Sequence, residues 1–353
     1  MDHAPTGQRS IVLKVQGFLR KTLWGRLLCV AVGLGLIGLA LAQPRVRPGR
    51  EITLTAQTVP LSVAEPKADQ VGSLRFVWGV ALRSEDKGFG GLSGLMVEPD
   101  ERGQKIIAVT DQGDRFTARL VLEKDQLRGV EAGTLEPLAN LEGLSVSGKL
   151  FGDAESMTRL PDGRVLVGFE QRHRIWAYGP ELTGPAKVFE TPPALAGAPA
   201  NGGLESLANW PDGRILIITE RLKTEAGNLA AFLFRGGTWA PLEWQASAPG
   251  FEPSDATVLP NGDLLVLERL WSALAPANLR SRIVRVRGAA VTPGALLQGE
   301  VLAELAAPLT TENFEGITSF TNARGGTQLL IVSDDNFNGV QRTLLLSFEM
   351  ADR

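Results

Sequence analysis

The chain has 353 residues, 44% of them hydrophobic and 21% charged, and a formal charge of −3. That is the composition of a folded globular protein with a sizeable core, one large domain or two. The cations Arg9, Lys14, Arg20, Lys21 and Arg26 stand against Asp2 in residues 1–42, a balance of +4, which leaves −7 on the rest. A mildly acidic body lacks the basic footprint that nucleic acid requires.

In chain order, a basic approach (Arg20, Lys21, Arg26) leads into a 16-residue apolar or glycine run, Leu27–Ala42, ending Ala40-Leu41-Ala42. This reads as a secretory signal cleaved after Ala42, with a retained N-terminal membrane anchor as the alternative. The run is short for a span, which takes about 20 residues. The expected address is therefore periplasmic or extracellular, with membrane attachment only through this segment. Cys29 is the single cysteine and lies inside the run, so the exported part has neither a disulfide nor a thiolate site. Residues 43–71, rich in Pro, Arg and small polar residues, read as a linker, with a short strand within Ile52–Thr58. The folded domain is expected over 72–353.

From Leu74 onward the pattern is almost wholly β. Short runs of Val, Ile, Leu, Phe and Trp alternate with turn residues, and helical periodicity is lacking. A unit recurs. Leu92-Ser93-Gly94-Leu95 leads to Ile106–Asp111, Ala154-Glu155-Ser156-Met157 to Val165–Glu170, and Leu204-Glu205-Ser206-Leu207 to Ile215–Glu220. Pro253-Ser254-Asp255-Ala256 leads to Leu264–Glu268, and Phe314-Glu315-Gly316-Ile317 to Leu329–Asp334. The starts lie 62, 50, 49 and 61 residues apart, the period of β-propeller blades. Pro161-Asp162-Gly163, Pro211-Asp212-Gly213 and Pro260-Asn261-Gly262 are the hairpin turns, each with glycine at the left-handed position. Two further strands follow in each repeat, but the last repeat supplies only Arg342–Glu349. Leu74–Leu82, ahead of the first repeat, is the expected missing strand, closing the ring. The fold class is thus all-β, a β-propeller of five four-stranded blades, with a sixth blade inside 112–152 as the alternative.

Gly90-Gly91-Leu92-Ser93-Gly94-Leu95 followed by Val109-Thr110-Asp111-Gln112-Gly113-Asp114 resembles the opening of the phytase-like domain family, also called esterase-like activity of phytase. Asp153-Ala154-Glu155, Pro253-Ser254-Asp255 and Asn313-Phe314-Glu315-Gly316-Ile317 continue the resemblance, which spans roughly Leu74–Met350. It implies a propeller and a phosphoesterase. The Arg-His-Gly motif of histidine phosphatases does not occur.

Antiparallel strands one and two put the start of the first and the end of the second at one rim. Asp153, Glu155, Glu205, Asp255 and Glu315, with Asn313, fall at the starts. Asp111, Glu170, Glu220, Glu268 and Asp334 fall at the ends. Crowded carboxylates need a counter-charge. A hard divalent cation, Ca²⁺ above all, takes six to eight oxygen ligands and suits Asp111, Asp153, Glu170, Glu220, Asp255, Glu268, Asn313 and Asp334. Glu155, Glu205 and Glu315 are the candidate catalytic carboxylates. Arg115, Arg172, Arg221 and Arg269, each just after an acid, are the candidate phosphate clamps. The bland reading of the same residues is inter-blade ion pairs and strand caps. Ser93 lacks a nucleophile elbow, since Leu95 takes the place of the last glycine. With only His3 and His173 present, a His triad or His-rich zinc site is not expected. The function expected is a metal-dependent hydrolase of a small phosphorylated substrate, acting as a monomer. A non-catalytic binding propeller and a Ca²⁺-dependent lactonase-like enzyme are the alternatives.

Overall fold

A computed structural model describes residues 46–101, 103–271 and 278–350. The expected signal or anchor, 1–42, lies outside them. Among the described residues no helix is long and apolar enough to cross a membrane.

Ahead of the first blade lie β1 (Arg50–Ile52), β2 (Thr55–Thr58), β3 (Gln70–Val71) and β4 (Leu74–Arg83). The first blade holds β5 (Leu92–Asp100), β6 (Gly103–Thr110), β7 (Asp114–Glu123) and β8 (Gln126–Pro137). The second holds β9 (Ala154–Arg159), β10 (Val165–Phe169), β11 (Arg174–Tyr178) and β12 (Lys187–Phe189). The third holds β13 (Ser206–Asn209), β14 (Ile215–Lys223), β15 (Leu229–Arg235) and β16 (Thr238–Trp244). The fourth holds β17 (Glu252–Val258), β18 (Leu264–Leu270), β19 (Arg280–Val286) and, after β20 (Leu296–Leu297), β21 (Glu300–Ala306). The fifth holds β22 (Phe314–Thr321), β23 (Thr327–Ser333) and β24 (Thr343–Met350). Its fourth strand is β4, antiparallel to β24 from Leu74↔Met350 to Leu82↔Thr343. The inner strands β5, β9, β13, β17 and β22 pack side by side in a closed ring. Five blades result. The 112–152 stretch forms β7, β8 and a four-residue helix, α1 (Lys149–Gly152), not a sixth blade. The 43–71 segment, read as a linker, carries β1 on the outer edge of β8 and β2 on the outer edge of β4. The N-terminal strands thus reach both blades at the closing seam.

Each blade's second strand carries an unbroken run of apolar residues because it serves two seams. In β10, Val165 and Val167 pack between the first and second blades, whereas Leu166 packs between the second and third. In β14, Ile215 and Ile217 face the second blade; Leu216 and Ile218 face the fourth. Successive strand residues point to opposite faces, and here both faces are core. Five apolar clusters, one per seam, follow from this alternation. The turn glycines Gly163, Gly213 and Gly262 have φ of 88°, 86° and 87°, the left-handed region that a side chain disfavours.

Candidate functional site

The inner strands carry a register irregularity at one end of the ring. In β9 the partners step from Ala154↔Phe169 to Ser156↔Gly168, leaving Glu155 as the extra residue. In β22 the extra residue is Glu315, in β17 it is Ser254 and in β5 it is Gly94. Glu205 occupies the same place, immediately before β13. A bulge re-aims its extra side chain, and Glu155, Glu205 and Glu315 all line a cavity of about 510 Å³ at this mouth. Lys149, Asn201, Arg221, Arg269, Asn313 and Asp334 line it too.

Eight buried carboxylates form one electrostatic cluster here: Asp111, Asp153, Glu155, Glu170, Glu205, Glu220, Glu315 and Asp334. Among the described residues, three cations form ion pairs with them. Lys149 Nζ lies 3.0 Å from Asp153, 3.5 Å from Asp111 and 4.0 Å from Glu155. Arg269 is bound to Glu315, to Glu220 at 2.9 Å and to Asn313 Oδ1 at 2.6 Å. Arg221 bridges Glu220 at 3.2 Å and Glu252 at 2.9 Å. Smaller donors hold other oxygens. Glu170 accepts the Gly202 N–H at 2.9 Å and also the Gly203 N–H. Glu315 accepts from Asn313 Nδ2 at 2.6 Å and Ser93 Oγ at 3.2 Å. Ser93 is therefore a support for Glu315.

The cations are too few. Burial first, then Lys149 acting against it, puts the Asp111 carboxyl at about 6. Burial, opposed by the Gly203 and Gly202 N–H groups, puts Glu170 at about 7. Burial followed by neighbouring carboxylates holds Glu155, Glu205 and Asp334 well above the usual range. Burial also raises Glu220, with Arg269 opposing. Burial works against the Arg269 cation, but Glu315, Glu220 and Glu205 raise its pKa regardless. Such a cluster holds protons or takes up a cation. Asp153, Glu155 and Glu170 each offer an oxygen within 4.8 Å of the others. Asp111 Oδ1 and Glu220 Oε2 are buried without hydrogen-bond partners. Converging carboxylates with unmatched oxygens fit a hard divalent cation.

Not every expected residue reaches the mouth. Asp255 is one place past the bulge, so it points into the seam; it accepts the Ile317 and Ala256 N–H groups, each at 2.8 Å. Glu268 is one place short and accepts Trp244 Nε1–H at 2.9 Å and Ser247 N–H at 3.1 Å. Arg269 stands where the second, third and fifth blades have Glu170, Glu220 and Asp334. Arg115 is bound to Glu136 and the Glu181 carbonyl beside the first blade. Arg172 is exposed and covers the Phe151 ring at 4.4 Å. His173 meets the Pro199 carbonyl at 2.7 Å. Sequence reasoning missed Lys149, Asn201, Trp271, Asn336, Asn338 and Gln341, all lining the cavity from loops outside the repeat.

Fold and mouth together define a five-bladed β-propeller whose ring opens, at one end, into a cavity walled by carboxylates. Residues 87–337 match the family model described as Phytase-like: Esterase-like activity of phytase, and the chain belongs to that family. No curated protein matches the chain. Among solved structures, an α-L-arabinofuranosidase from Podospora anserina is 12% identical, with a TM-score of 0.48, over 80% of this chain and 98% of that one. A putative gluconolactonase is 13% identical, with a TM-score of 0.40, over 84% and 94%. A gluconolactonase from Xanthomonas campestris is 10% identical, with a TM-score of 0.35, over 87% and 99%. Likeness at this level speaks to neither substrate nor reaction.

Proposed function

We propose that the protein is a divalent-cation-dependent hydrolase of phosphomonoesters or phosphodiesters, with Ca²⁺ as the fitting ion. The observation that carries this is the mismatch at the mouth, eight buried carboxylates against three cations, with Asp153, Glu155 and Glu170 converged within 4.8 Å. Those three residues would hold the ion. Bound there, it would polarise a phosphoryl oxygen and acidify a water. The chain's own groups do the remaining work. Arg221, which lines the cavity and stands 41% exposed, would exchange its bonds to Glu252 for a phosphate. Arg269 fixes Glu315 and Glu220 from behind. Glu205 lines the cavity outside the trio and is the carboxyl assigned to proton exchange with the ester oxygens. The basic and apolar N-terminus supports placing this activity outside the cytoplasm.

The test is hydrolysis of a chromogenic phosphomonoester and a phosphodiester by purified protein in Ca²⁺. Activity should vanish with chelator and in Glu155→Gln and Glu205→Gln. Folded, Ca²⁺-loaded protein inert on both ester classes would sink the proposal.

A further inference from the structure

The cavity is polar, but its surroundings are not. Eleven large hydrophobic side chains stand exposed among the described residues, and five of them sit on segments that line this one mouth. Leu150 and Phe151 lie on α1, directly after the cavity-lining Lys149. Trp271 follows β18 and itself lines the cavity while 53% exposed. Phe337 and Val340 lie among Asn336, Asn338 and Gln341, which line it from the fifth blade.

Two of these segments, α1 and the one that carries Phe337, are held in place. The Phe151 ring lies under Arg172, and its carbonyl accepts from Arg174. Asp335 accepts the N–H groups of Gly91 and Phe337, each at 3.1 Å, and Thr343 Oγ1–H at 3.0 Å. Gly90 and Gly91 leave room for the Phe337 ring, which a Cβ at Gly91 would strike. Scattered exposed hydrophobics are ordinary, whereas a group of them around a polar cleft marks a binding surface.

We infer that the ligand of this mouth is an amphiphile: a phosphoester whose charged head enters the carboxylate cavity while an apolar arm lies on the collar of Leu150, Phe151, Trp271, Phe337 and Val340. The phosphoester part rests on the reading given under Proposed function; the apolar arm rests on the collar alone. A small, wholly polar phosphate ester would leave the collar in water.

The experiment measures binding of n-alkylphosphonates, which cannot be hydrolysed, to the full chain in Ca²⁺ by titration calorimetry. Turnover of matched alkyl p-nitrophenyl phosphodiesters is measured beside it. A fully buried methylene contributes a factor of about four, so an arm lying on an open collar should gain about twofold per methylene. Kd should fall by that factor along the series, and kcat/KM should rise with it. Trp271→Ala and Phe151→Ala should each shrink the ratio between the long-arm and short-arm values. Circular dichroism establishes that these variants fold. Chain-length-dependent binding without turnover would leave the amphiphile site standing and overturn the hydrolase. Turnover or binding indifferent to arm length would overturn the collar. Binding to phosphatidylcholine vesicles with none to monomeric phosphonates would overturn it too, by assigning the collar to a lipid surface.

Discussion

Arg269→Met tests whether the mouth depends on its built-in counter-ion. Arg269 is only 14% exposed, and the carboxylates it joins, Glu220 and Glu315, are 0% and 8% exposed. Water therefore screens neither contact well. Removing one partner of a buried ion pair costs about 3–5 kcal/mol, because the other charge stays buried and unmatched. Two stranded carboxylates and a lost bond to Asn313 place this substitution in the upper part of that range. At roughly 2–4 °C per kcal/mol for a domain of some 200 residues, and less for a larger one, Tm should fall by roughly 6–12 °C at pH 7.5. The assay is thermal unfolding followed by circular dichroism, in chelator. Arg269→Lys should recover part of the loss, since one ammonium cannot reach three partners in the fixed geometry of a guanidinium. Adding Glu220→Gln and Glu315→Gln to Arg269→Met should recover most of it, because no unmatched charge remains. If Arg269→Met melts within about 1 °C of the parent, or the two glutamines restore nothing, the electrostatic account of the mouth is wrong.

Further expectations concern protons, packing and the N-terminal strands. In the folded state Asp111 titrates at about 6 and Glu170 at about 7, above ordinary carboxyls. The native state therefore binds more protons than the unfolded one up to those values, and stability falls as pH rises. Melts in chelator should show Tm declining from pH 5 to 8, and Ca²⁺ at pH 8 should restore it by about 2.7 kcal/mol at 100 times its Kd; a flat or rising profile in chelator refutes this. Gly203→Ala should cost about 1–3 kcal/mol in chemical denaturation, because the new methyl strikes the His173 ring. His173→Ala in the same chain should relieve part of that cost, and lack of relief would remove the clash as its cause. Starting the chain at residue 59 removes β1 and β2 and should lower Tm while leaving a folded propeller. Starting it at residue 84 also removes β4 and should abolish cooperative unfolding; a sharp melt would show that β24 does not need its partner.

The blades were legible because their signals are local. An unbroken apolar run after a Pro-Asp-Gly or Pro-Asn-Gly turn reads as a strand with core on both sides; three repeats carry that turn, and the matching runs Ile106–Asp111 and Leu329–Asp334 complete five. Leu74–Leu82 was legible by subtraction, since the last repeat lacked a strand. Register was harder. Glu170 and Glu220 are the seventh residues after Gly163 and Gly213, and the seventh after Gly262 is Arg269, not Glu268. Counting from the turn finds the arginine; matching acids by type passes over it. The same one-residue slip sends Asp255 into the seam while Ser254 takes the bulge, since alternate strand residues face opposite ways. Lys149 and Trp271 were invisible for another reason. Lys149 opens α1 and Trp271 follows β18, outside the repeated pattern, and only the closed ring brings these segments to the mouth. The segment before Leu74 looked like a linker because β1 and β2 are three and four residues long, too short to show a period.

The pairing of β4 with β24 also sets the order in which the molecule can be made. Leu74 and Met350 face each other across that ladder, so β4 waits for β24. During synthesis, the first four blades can assemble from their own strands as they emerge. The ring itself cannot close until residue 350 has been released. Until then β4 presents an open edge, with Val80, Ala81 and Leu82 uncovered, side chains that end up buried. An unpaired apolar strand is a template for wrong partners. For this architecture the hazardous interval runs from the synthesis of β4 to that of β24, and it ends in a single step.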